Sequence, residues 1–171
     1  MSGTTDRPVT RLYLDTNVLI ALAEGSDELS ELLWDMFSTN AGNGFLCTSE
    51  LTLAELAVLP YRDRKAELLH LYDGWFTSHA LFAVARVDRT VLLGAAFIRG
   101  RHPGIRLPDA IHLATAASMG CSHILSADRR IPDEFKIETG EDDVYIAPAA
   151  LSALRPDRPT LEAIIRKAAE S

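Results

Sequence analysis

Short apolar runs alternate with longer stretches of helical spacing along this chain, and the alternation predicts the order of its strands and helices. Each apolar run has the length of a strand and is bounded by polar or turn residues. We predict strands at residues 11–14, 45–48, 81–87 and 122–127, and a further, weaker one at 143–147.

The intervening stretches repeat apolar residues every three to four positions, as one face of a helix does. Asp88 is the predicted N-cap of one of these helices. Another helix is expected to end before Pro60, because proline lacks the amide hydrogen that a helix interior needs. The predicted helices cover residues 16–24, 27–39, 49–59, 61–77, 88–99 and 107–120.

Strands that are separated by helices require parallel crossover connections. The pattern therefore predicts an α/β fold, a three-layer sandwich around a central, mainly parallel sheet. With 171 residues we expect one domain, at residues 10–147. Residues 148–171 contain three prolines and then an amphipathic helix from about residue 160, which predicts a C-terminal extension that packs on the core or on a partner.

The composition limits the classes of protein to which this chain can belong. Hydrophobic residues make up 47% of it, enough for a buried core, and Cys47 and Cys121 lie in apolar surroundings typical of buried free thiols. No apolar stretch approaches the roughly 18 residues of a membrane span, and no signal core is visible, so we expect a cytoplasmic protein without membrane contact. The net charge of −7 speaks against a broadly basic nucleic-acid surface, although a site built from carboxylates would itself make a chain acidic.

Four acidic side chains lie where the predicted topology brings distant segments to one edge of the sheet. Asp15 comes at the carboxyl end of the first strand and Asp128 follows the fourth, and parallel sheets bind their ligands beyond these ends. Asp109 lies in the first turn of the helix before the fourth strand, and Glu55 lies within the helix after the second. The pattern therefore predicts one acidic site.

Each acidic residue also has a purely structural interpretation. Asp15 can cap the helix that follows it, Asp128 can cap a turn, and the helix dipole favours Asp109 in a first turn. Glu55 is harder to explain in this way, because a buried carboxylate without a partner costs several kcal/mol. It requires a cation or a basic partner.

A cluster of carboxylates without lysine or histidine at the motif positions favours a hard divalent cation, Mg²⁺ or Mn²⁺. Such an ion activates a water molecule and stabilises charge on a phosphoryl group. Thr16, Asn17 and Ser126 are then expected to orient the carboxylates or the substrate.

The segments LYLDTNVLIAL, SELTLAEL, LPDAIHLATA and ILSADRRI occur in the order and approximate spacing of the PIN domain. The chain most closely resembles the small bacterial PIN-domain ribonucleases of the VapC toxin type, over about residues 10–147. Each segment is short, and their combination in the expected structural context carries the resemblance.

This resemblance implies a metal-dependent endoribonuclease that hydrolyses RNA phosphodiester bonds with a metal-activated water. It implies that Asp15, Glu55, Asp109 and Asp128 bind Mg²⁺ or Mn²⁺ and that Ser49 helps to orient the site. It also implies a homodimer and a small antitoxin whose tail covers the acidic groove. The acidic segment ETGEDDVY and the C-terminal extension depart from compact toxins, so a PIN nuclease in RNA processing stays an alternative.

Basic residues flank the predicted site and are candidates for binding RNA phosphates. The candidates are Arg99, Arg101, Arg106, Arg129 and Arg130. The alternative for each arginine is that it is an exposed loop residue that contacts water and binds no phosphate. His112 faces the same way as Asp109 on its helix, and we expect a buried, hydrogen-bonded histidine rather than a catalytic one.

Other families with an acidic residue after the first strand fit less well. A haloacid-dehalogenase-type phosphatase needs a second acid two residues later, where this chain has Asn17, and a receiver domain needs a lysine beyond a late strand. A PIN-like module without nuclease activity, whose acidic pocket binds a basic peptide, is the remaining alternative of a different class.

Overall fold

The computed structural model describes residues 7–78, 80–143 and 146–170, which form six strands and seven helices. The strands are β1 (Leu12–Leu14), β2 (Leu46–Ser49), β3 (Ala83–Ala85), β4 (His123–Leu125), β5 (Glu134–Ile137) and β6 (Ala149–Leu154). The helices are α1 (Thr16–Glu24), α2 (Glu28–Asn40), α3 (Glu50–Asp63), α4 (Ala66–Ser78), α5 (Arg89–Arg101), α6 (Leu107–Ser118) and α7 (Arg158–Ala169).

The six strands form one sheet in the order β3-β2-β1-β4-β6-β5. Neighbouring strands are parallel except for the antiparallel pair β5 and β6. In β1, Tyr13 lies between Cys47 of β2 and Ile124 of β4. The prediction of an α/β fold with a central, mainly parallel sheet is therefore confirmed, and the carboxyl ends of β1, β2, β3, β4 and β6 lie at one edge.

Two hydrophobic cores cover the two faces of the sheet, because successive residues of a strand point to opposite faces. On one face, Leu12 and Leu14 pack with Phe37 of α2 and Leu161 of α7. On the other face, Tyr13 belongs to a core formed with α5 and α6. The helices thus make an outer layer on each side, as the prediction of a three-layer sandwich required.

Helix α3 continues through Pro60, so the prediction that it ends before this residue was wrong. The helix ends at Asp63, and Arg64 then adopts a left-handed conformation with a φ of 56°. The backbone N–H groups of Arg64 and Lys65 both donate to the carbonyl oxygen of Pro60. These bonds close the last turn, and the burial of Pro60 offsets the hydrogen bond that its ring cannot make.

The C-terminal part of the sheet differs from the sequence pattern. The strand predicted at 143–147 is absent at positions 143, 146 and 147, and Val144 and Tyr145 lie outside the described residues. Strands β5 and β6 were not predicted, and β6 lies between β4 and β5. Helix α7 packs against α2, where Arg158 forms an ion pair with Glu28. The segment 148–171 thus supplies an inner strand and an outer helix, and the position of the domain boundary stays a prediction.

Two smaller predictions concern the thiols and the membrane. Cys47 and Cys121 are buried free cysteines, as expected, and their sulfur atoms lie 3.2 Å apart. Within the described ranges, none of the helices has the length and apolar character needed to cross a membrane.

Candidate active site

Asp15 is buried directly after β1, at the carboxyl edge of the sheet. Its Oδ1 accepts a hydrogen bond of 2.8 Å from the backbone N–H of Thr16, so the prediction that it caps α1 is confirmed. Its Oδ2 accepts hydrogen bonds from Asn17 Nδ2 and from the hydroxyl of Ser126. Capping therefore occupies one carboxylate oxygen, and the other contacts side chains that come from two strand ends.

Asn17 and Ser126 join the ends of β1 and β4. Asn17 Nδ2 lies 3.2 Å from Ser126 Oγ, and Asn17 Oδ1 accepts a hydrogen bond of 2.9 Å from the backbone N–H of Ala127. Ser126 Oγ also accepts a bond of 3.0 Å from the backbone N–H of Asp128. These side chains fix the loop after β4 against the start of α1.

Glu55, on α3, reaches the same edge and has partners within the protein. Its Oε2 accepts a hydrogen bond from the hydroxyl of Thr16 and lies 3.0 Å from His112 Nε2. Burial alone would raise the pKa of Glu55, but the hydrogen bonds from His112 and Thr16 lower it below its ordinary value. The basic partner that the sequence required for Glu55 is therefore His112.

A buried chain of hydrogen bonds continues from His112 into the sheet. His112 Nδ1 lies 2.8 Å from the hydroxyl of Tyr13, and that hydroxyl lies 2.9 Å from Ser49 Oγ. Because the ionised carboxylate of Glu55 only accepts, His112 carries a hydrogen on Nε2. Burial raises the pKa of Tyr13, so its hydroxyl stays protonated; it donates its hydrogen to Ser49 Oγ and lies within hydrogen-bond distance of His112 Nδ1.

The prediction that His112 is buried and hydrogen-bonded is confirmed, since its side chain is 2% exposed. Its Nε2 also lies 3.7 Å from Asp15 Oδ1, so the ring stands between two carboxylates. The spacing of His112 from Asp109 was the signal for this position in the sequence. Tyr13 was missed, because nothing in an apolar strand distinguishes it, and Ser49 reaches Glu55 only through Tyr13 and His112.

Asp109 lies on the more open side of the site, half-buried in the first turn of α6. Its carboxylate forms no hydrogen bond with the residues that the structure describes. Burial raises the pKa of Asp109, and although Arg130 counteracts this, the negative charges of Asp128 and Asp15 raise it further. These three carboxylates therefore lie within electrostatic reach of one another.

Asp128 is bound by Arg130, two residues further along the same loop. Arg130 Nε lies 3.0 Å and 2.8 Å from the two carboxylate oxygens, and the backbone N–H of Arg130 donates to Oδ1 at 2.9 Å. The hydrogen bonds from Arg130 lower the pKa of Asp128 from 3.8 to about 2. In this arrangement Arg130, a candidate for RNA binding, neutralises a candidate metal ligand.

The other arginines proposed to bind RNA phosphates differ in their contacts, and among them Arg106 lies close enough to Asp128 for its charge to act on that carboxylate. Arg99 donates a hydrogen bond of 3.2 Å to the carbonyl oxygen of Ile105, and Arg101 forms an ion pair of 3.3 Å with Asp143. Two further candidates are exposed and form no side-chain hydrogen bond within the described part of the chain; these are Arg106 and Arg129. Binding of RNA by these arginines stays a prediction.

The acidic side chains match a hard divalent cation in kind, because carboxylate oxygens are its preferred ligands. Among residues 7–78, 80–143 and 146–170, however, no three His, Cys, Asp or Glu side chains are placed together to hold a metal ion. Asp128 is turned to Arg130, and Glu55 is held by Thr16 and His112. A cation bound by all the acids would have to displace Arg130 from Asp128, whereas Thr16 and His112 bond only to Oε2 of Glu55 and leave its Oε1 without a hydrogen bond within the described residues.

Comparison with known proteins places this geometry in a family. The model of the PIN domain family matches residues 12–136, and no curated relative matches the sequence at a significant level. A toxin–antitoxin complex from Klebsiella pneumoniae is similar in structure, with a TM-score of 0.56 at 16% identity, over 86% of this chain and 98% of that chain.

Two further solved structures share the fold at similarly low identity. A DNA-bound VapBC complex from Salmonella typhimurium has a TM-score of 0.56 at 18% identity, over 86% of this chain and 98% of that one. A VapC toxin from Mycobacterium tuberculosis that cleaves the sarcin–ricin loop has a TM-score of 0.54 at 17% identity, over 66% and 86%. Because the family model spans most of the chain, and these structures share its sheet and helices, the chain belongs to the PIN-domain family.

Proposed function

We propose that this protein is a metal-dependent endoribonuclease and the toxin of a toxin–antitoxin pair. The observation that carries the proposal is the position of Asp109, a half-buried carboxylate in the first turn of α6 that lies close enough to Asp15, Asp128 and Arg130 for their charges to act on it. Its carboxylate has no hydrogen-bond donor within the described residues, so a cation at this place would relieve both the desolvation and the repulsion.

Asp15, Glu55, Asp109 and Asp128 would hold Mg²⁺ or Mn²⁺. When bound, the ion would supply an activated water and would stabilise charge on the phosphoryl group. The chain's own residues prepare the site for it. Asn17 and Ser126 hold the Asp15 carboxylate, and Thr16 and His112 orient Glu55; these contacts support the proposed orienting roles.

Arg130 would have two positions in this reaction. In the present structure its guanidinium neutralises Asp128. A cation on Asp128 would compete with this ion pair and release Arg130 toward the phosphates of the RNA, together with the exposed Arg106 and Arg129. The prediction of phosphate binding is therefore compatible with the observed ion pair.

The partners of the protein are inferred from similar structures. The Klebsiella pneumoniae structure is a toxin–antitoxin complex, and the Mycobacterium tuberculosis protein is an RNA-cleaving toxin. We infer a small antitoxin for this chain, with basic groups that match its acidic edge, and we keep the homodimer as a prediction that light scattering tests. Growth arrest on induction, relieved by the cognate antitoxin, would separate a toxin from a nuclease of RNA processing.

The decisive experiment is cleavage of a mixed RNA substrate with Mn²⁺ or Mg²⁺. The wild type is compared with Asp15→Asn and with Asp27→Asn, the same chemical change at a helix cap outside the acidic edge. We expect metal-dependent cleavage that a chelator and Asp15→Asn abolish and that Asp27→Asn retains. A wild type that neither cuts RNA nor binds Mn²⁺ would favour the peptide-binding module.

A further inference from the structure

Arg155 follows β6 directly and reaches across to the loop between β4 and β5. Its Nη1 donates hydrogen bonds to the carbonyl oxygens of Ser126 at 3.2 Å and Asp128 at 2.8 Å. Its Nη2 donates to the carbonyl oxygen of Ile131 at 2.9 Å and to Asp133 Oδ1 at 2.6 Å. One side chain thus bonds to the loop at both of its ends and in its middle.

The guanidinium of Arg155 is suited to hold this loop in one conformation. It is planar and presents its donors in a fixed fork, so it sets the spacing of the groups that accept from it. The side chain is only 24% exposed, which shields these charge-assisted bonds from competing water. A lysine ammonium could not reach all of these acceptors at once.

Backbone bonds join the same loop to β6 only near its ends. The N–H of Ser126 donates to the carbonyl oxygen of Leu154 at 3.0 Å, and the N–H of Ala153 donates to that of Asp133 at 2.8 Å. Between these two points, Arg155 holds the carbonyl groups of Asp128 and Ile131. Asn17 and Ser126 hold the backbone N–H groups of Ala127 and Asp128, and Arg155 holds the carbonyl side of the loop, so the path of the loop at Asp128 depends on Arg155 together with these residues.

The carboxylate of Asp128 has no such tie to the rest of the fold. Within the described residues, its side-chain partner is Arg130, which belongs to the same loop and moves with it. The distance between the carboxylates of Asp128 and Asp15 is consequently set by the loop backbone. That backbone is what Arg155 fixes.

We propose that Arg155 is a positioning residue of the acidic site, which sets the place of Asp128 through the loop backbone without touching the substrate. The inference rests on the proposed nuclease function. It gives the segment after residue 147 a role in the reaction, although the family model matches only residues 12–136.

The test compares two substitutions with a matched control. Arg155→Met removes the guanidinium donors and keeps an unbranched apolar stem, whereas Arg155→Lys keeps the charge. Arg158→Met is the control, because Arg158 lies in the same segment but pairs with Glu28 and Glu162, away from the loop. For each protein we would measure kcat and KM for RNA with Mn²⁺, the affinity for Mn²⁺ alone, the melting temperature, and amide hydrogen exchange in residues 126–133.

We expect Arg155→Met to lower both kcat and the Mn²⁺ affinity by about tenfold or more, as loss of a group that orients a metal ligand does. The KM for RNA should change little, and exchange in residues 126–133 should accelerate. Arg155→Lys should give intermediate values. Arg158→Met should keep the kcat and Mn²⁺ affinity of the wild type, whatever its melting temperature.

Wild-type kcat and Mn²⁺ affinity in a folded Arg155→Met protein would overturn the role of Arg155 and leave the nuclease proposal standing. If Arg155→Met does not fold, the test uses Arg155→Lys, and a folded Arg155→Lys protein with the kcat and Mn²⁺ affinity of the wild type would overturn the role of Arg155. A wild-type protein that neither binds Mn²⁺ nor cuts RNA would overturn the proposed function, and this inference with it.

Discussion

Both ends of the parallel sheet contain buried polar side chains, but the two ends use them differently. At the amino end, Ser122 Oγ accepts a hydrogen bond of 2.9 Å from the backbone N–H of Thr10 and lies 2.8 Å from His123 Nδ1. Arg11 donates to two backbone carbonyl oxygens, at 2.8 Å and 3.1 Å. Burial lowers the pKa of His123, which favours its neutral form. The partners at this end are mainly backbone groups.

At the carboxyl end, polar side chains bond mainly to one another. Asp15 is held by Asn17 and Ser126, and Glu55 is held by Thr16 and His112. The negative charge of Glu55 is favoured here, because hydrogen bonds lower its pKa despite its burial. The comparison teaches that polar groups at the amino end join chain segments, whereas those at the carboxyl end orient carboxylates and lower the pKa of Glu55 and Asp128, at the edge where parallel sheets bind ligands.

The largest effect that separates the two ends is expected from Asp15→Asn. Loss of groups that merely orient metal ligands costs about 10–100-fold, so removal of a ligand charge should lower RNA cleavage by at least about a hundredfold. The N-cap should survive, because asparagine caps a helix as well as aspartate, but its amide nitrogen cannot accept the hydrogen bonds that Asn17 and Ser126 donate to Oδ2, so the free energy of unfolding should fall by about 1–3 kcal/mol. Single-turnover cleavage and thermal unfolding check both expectations. Retained activity would remove Asp15 from the reaction.

At the amino end, Ser122→Ala should lower the stability of the protein and leave RNA cleavage unchanged. It leaves the N–H of Thr10 and the ring of His123 without their partner, which should cost about 1–3 kcal/mol of the free energy of unfolding. Cleavage per folded molecule should equal that of the wild type. Urea unfolding and cleavage assays on the same preparation test this, and a loss of activity in the folded variant would contradict the separation of the two ends.

Tyr13→Phe should affect both properties, because the hydroxyl lies inside the sheet and also supports the site. Without it, Ser49 and His112 lose a buried partner, at a cost of about 1 kcal/mol or more in unfolding free energy. The kcat should fall severalfold while the KM for RNA is unchanged, since His112 would hold Glu55 less firmly. A kcat equal to that of the wild type would assign the hydroxyl to stability alone.

The smallest effect is expected from Arg130→Gln, which removes the ion pair on Asp128. The pKa of Asp128 should rise from about 2 toward 3.8, and that of Asp109 should rise as well. Since the folded-state pKa of Asp128 is depressed, its contribution to stability is present above about pH 4 and is lost as the pH falls toward 2. The guanidinium is 52% exposed, so this contribution is small, and Arg130→Gln should abolish it.

Carboxyl-carbon NMR titration of the metal-free protein measures the change directly. The Arg101→Gln variant is the control, because its ion pair with Asp143 lies outside the four acids. A pKa of Asp128 that stays near 2 in Arg130→Gln would show that other groups depress it.

Sequence patterns predicted those helices and caps whose positions depend on residues close to them in the chain. Helix α1 has the predicted bounds, and Asp88 caps α5 with a hydrogen bond of 3.0 Å to Val91, because these features depend on neighbours in the sequence. Strand β6 was missed, since AALSAL has no β-branched residues and its place is set by pairing with β4 and β5. Pro60 did not end its helix at the predicted place: α3 runs on to Asp63, although the ring of Pro60 removes one hydrogen bond of the helix interior.

The candidate site also has features that the sequence predicted and others that only the folded structure determines. The predicted order of strands and helices was enough to place Asp15 and Asp128 at one edge of the sheet, as the structure has them. The partner of Glu55 was unknown from the sequence, because His112 lies 57 positions away and meets it only in the fold. The pairing of Asp128 with Arg130 spans two positions and was accessible to sequence reasoning, but the spacing alone does not distinguish an ion pair from a free arginine.

The position of β6 has a consequence for the order in which the protein assembles. The strand that comes last along the described part of the chain, β6, is an inner strand, which pairs with β4 on one side and β5 on the other. Until residue 154 has left the ribosome, the edge of β4 has no neighbour on that side, and non-local pairing of this kind is slow to form. The acidic edge is therefore completed only after β6 has been made, well after the segments that supply its four carboxylates.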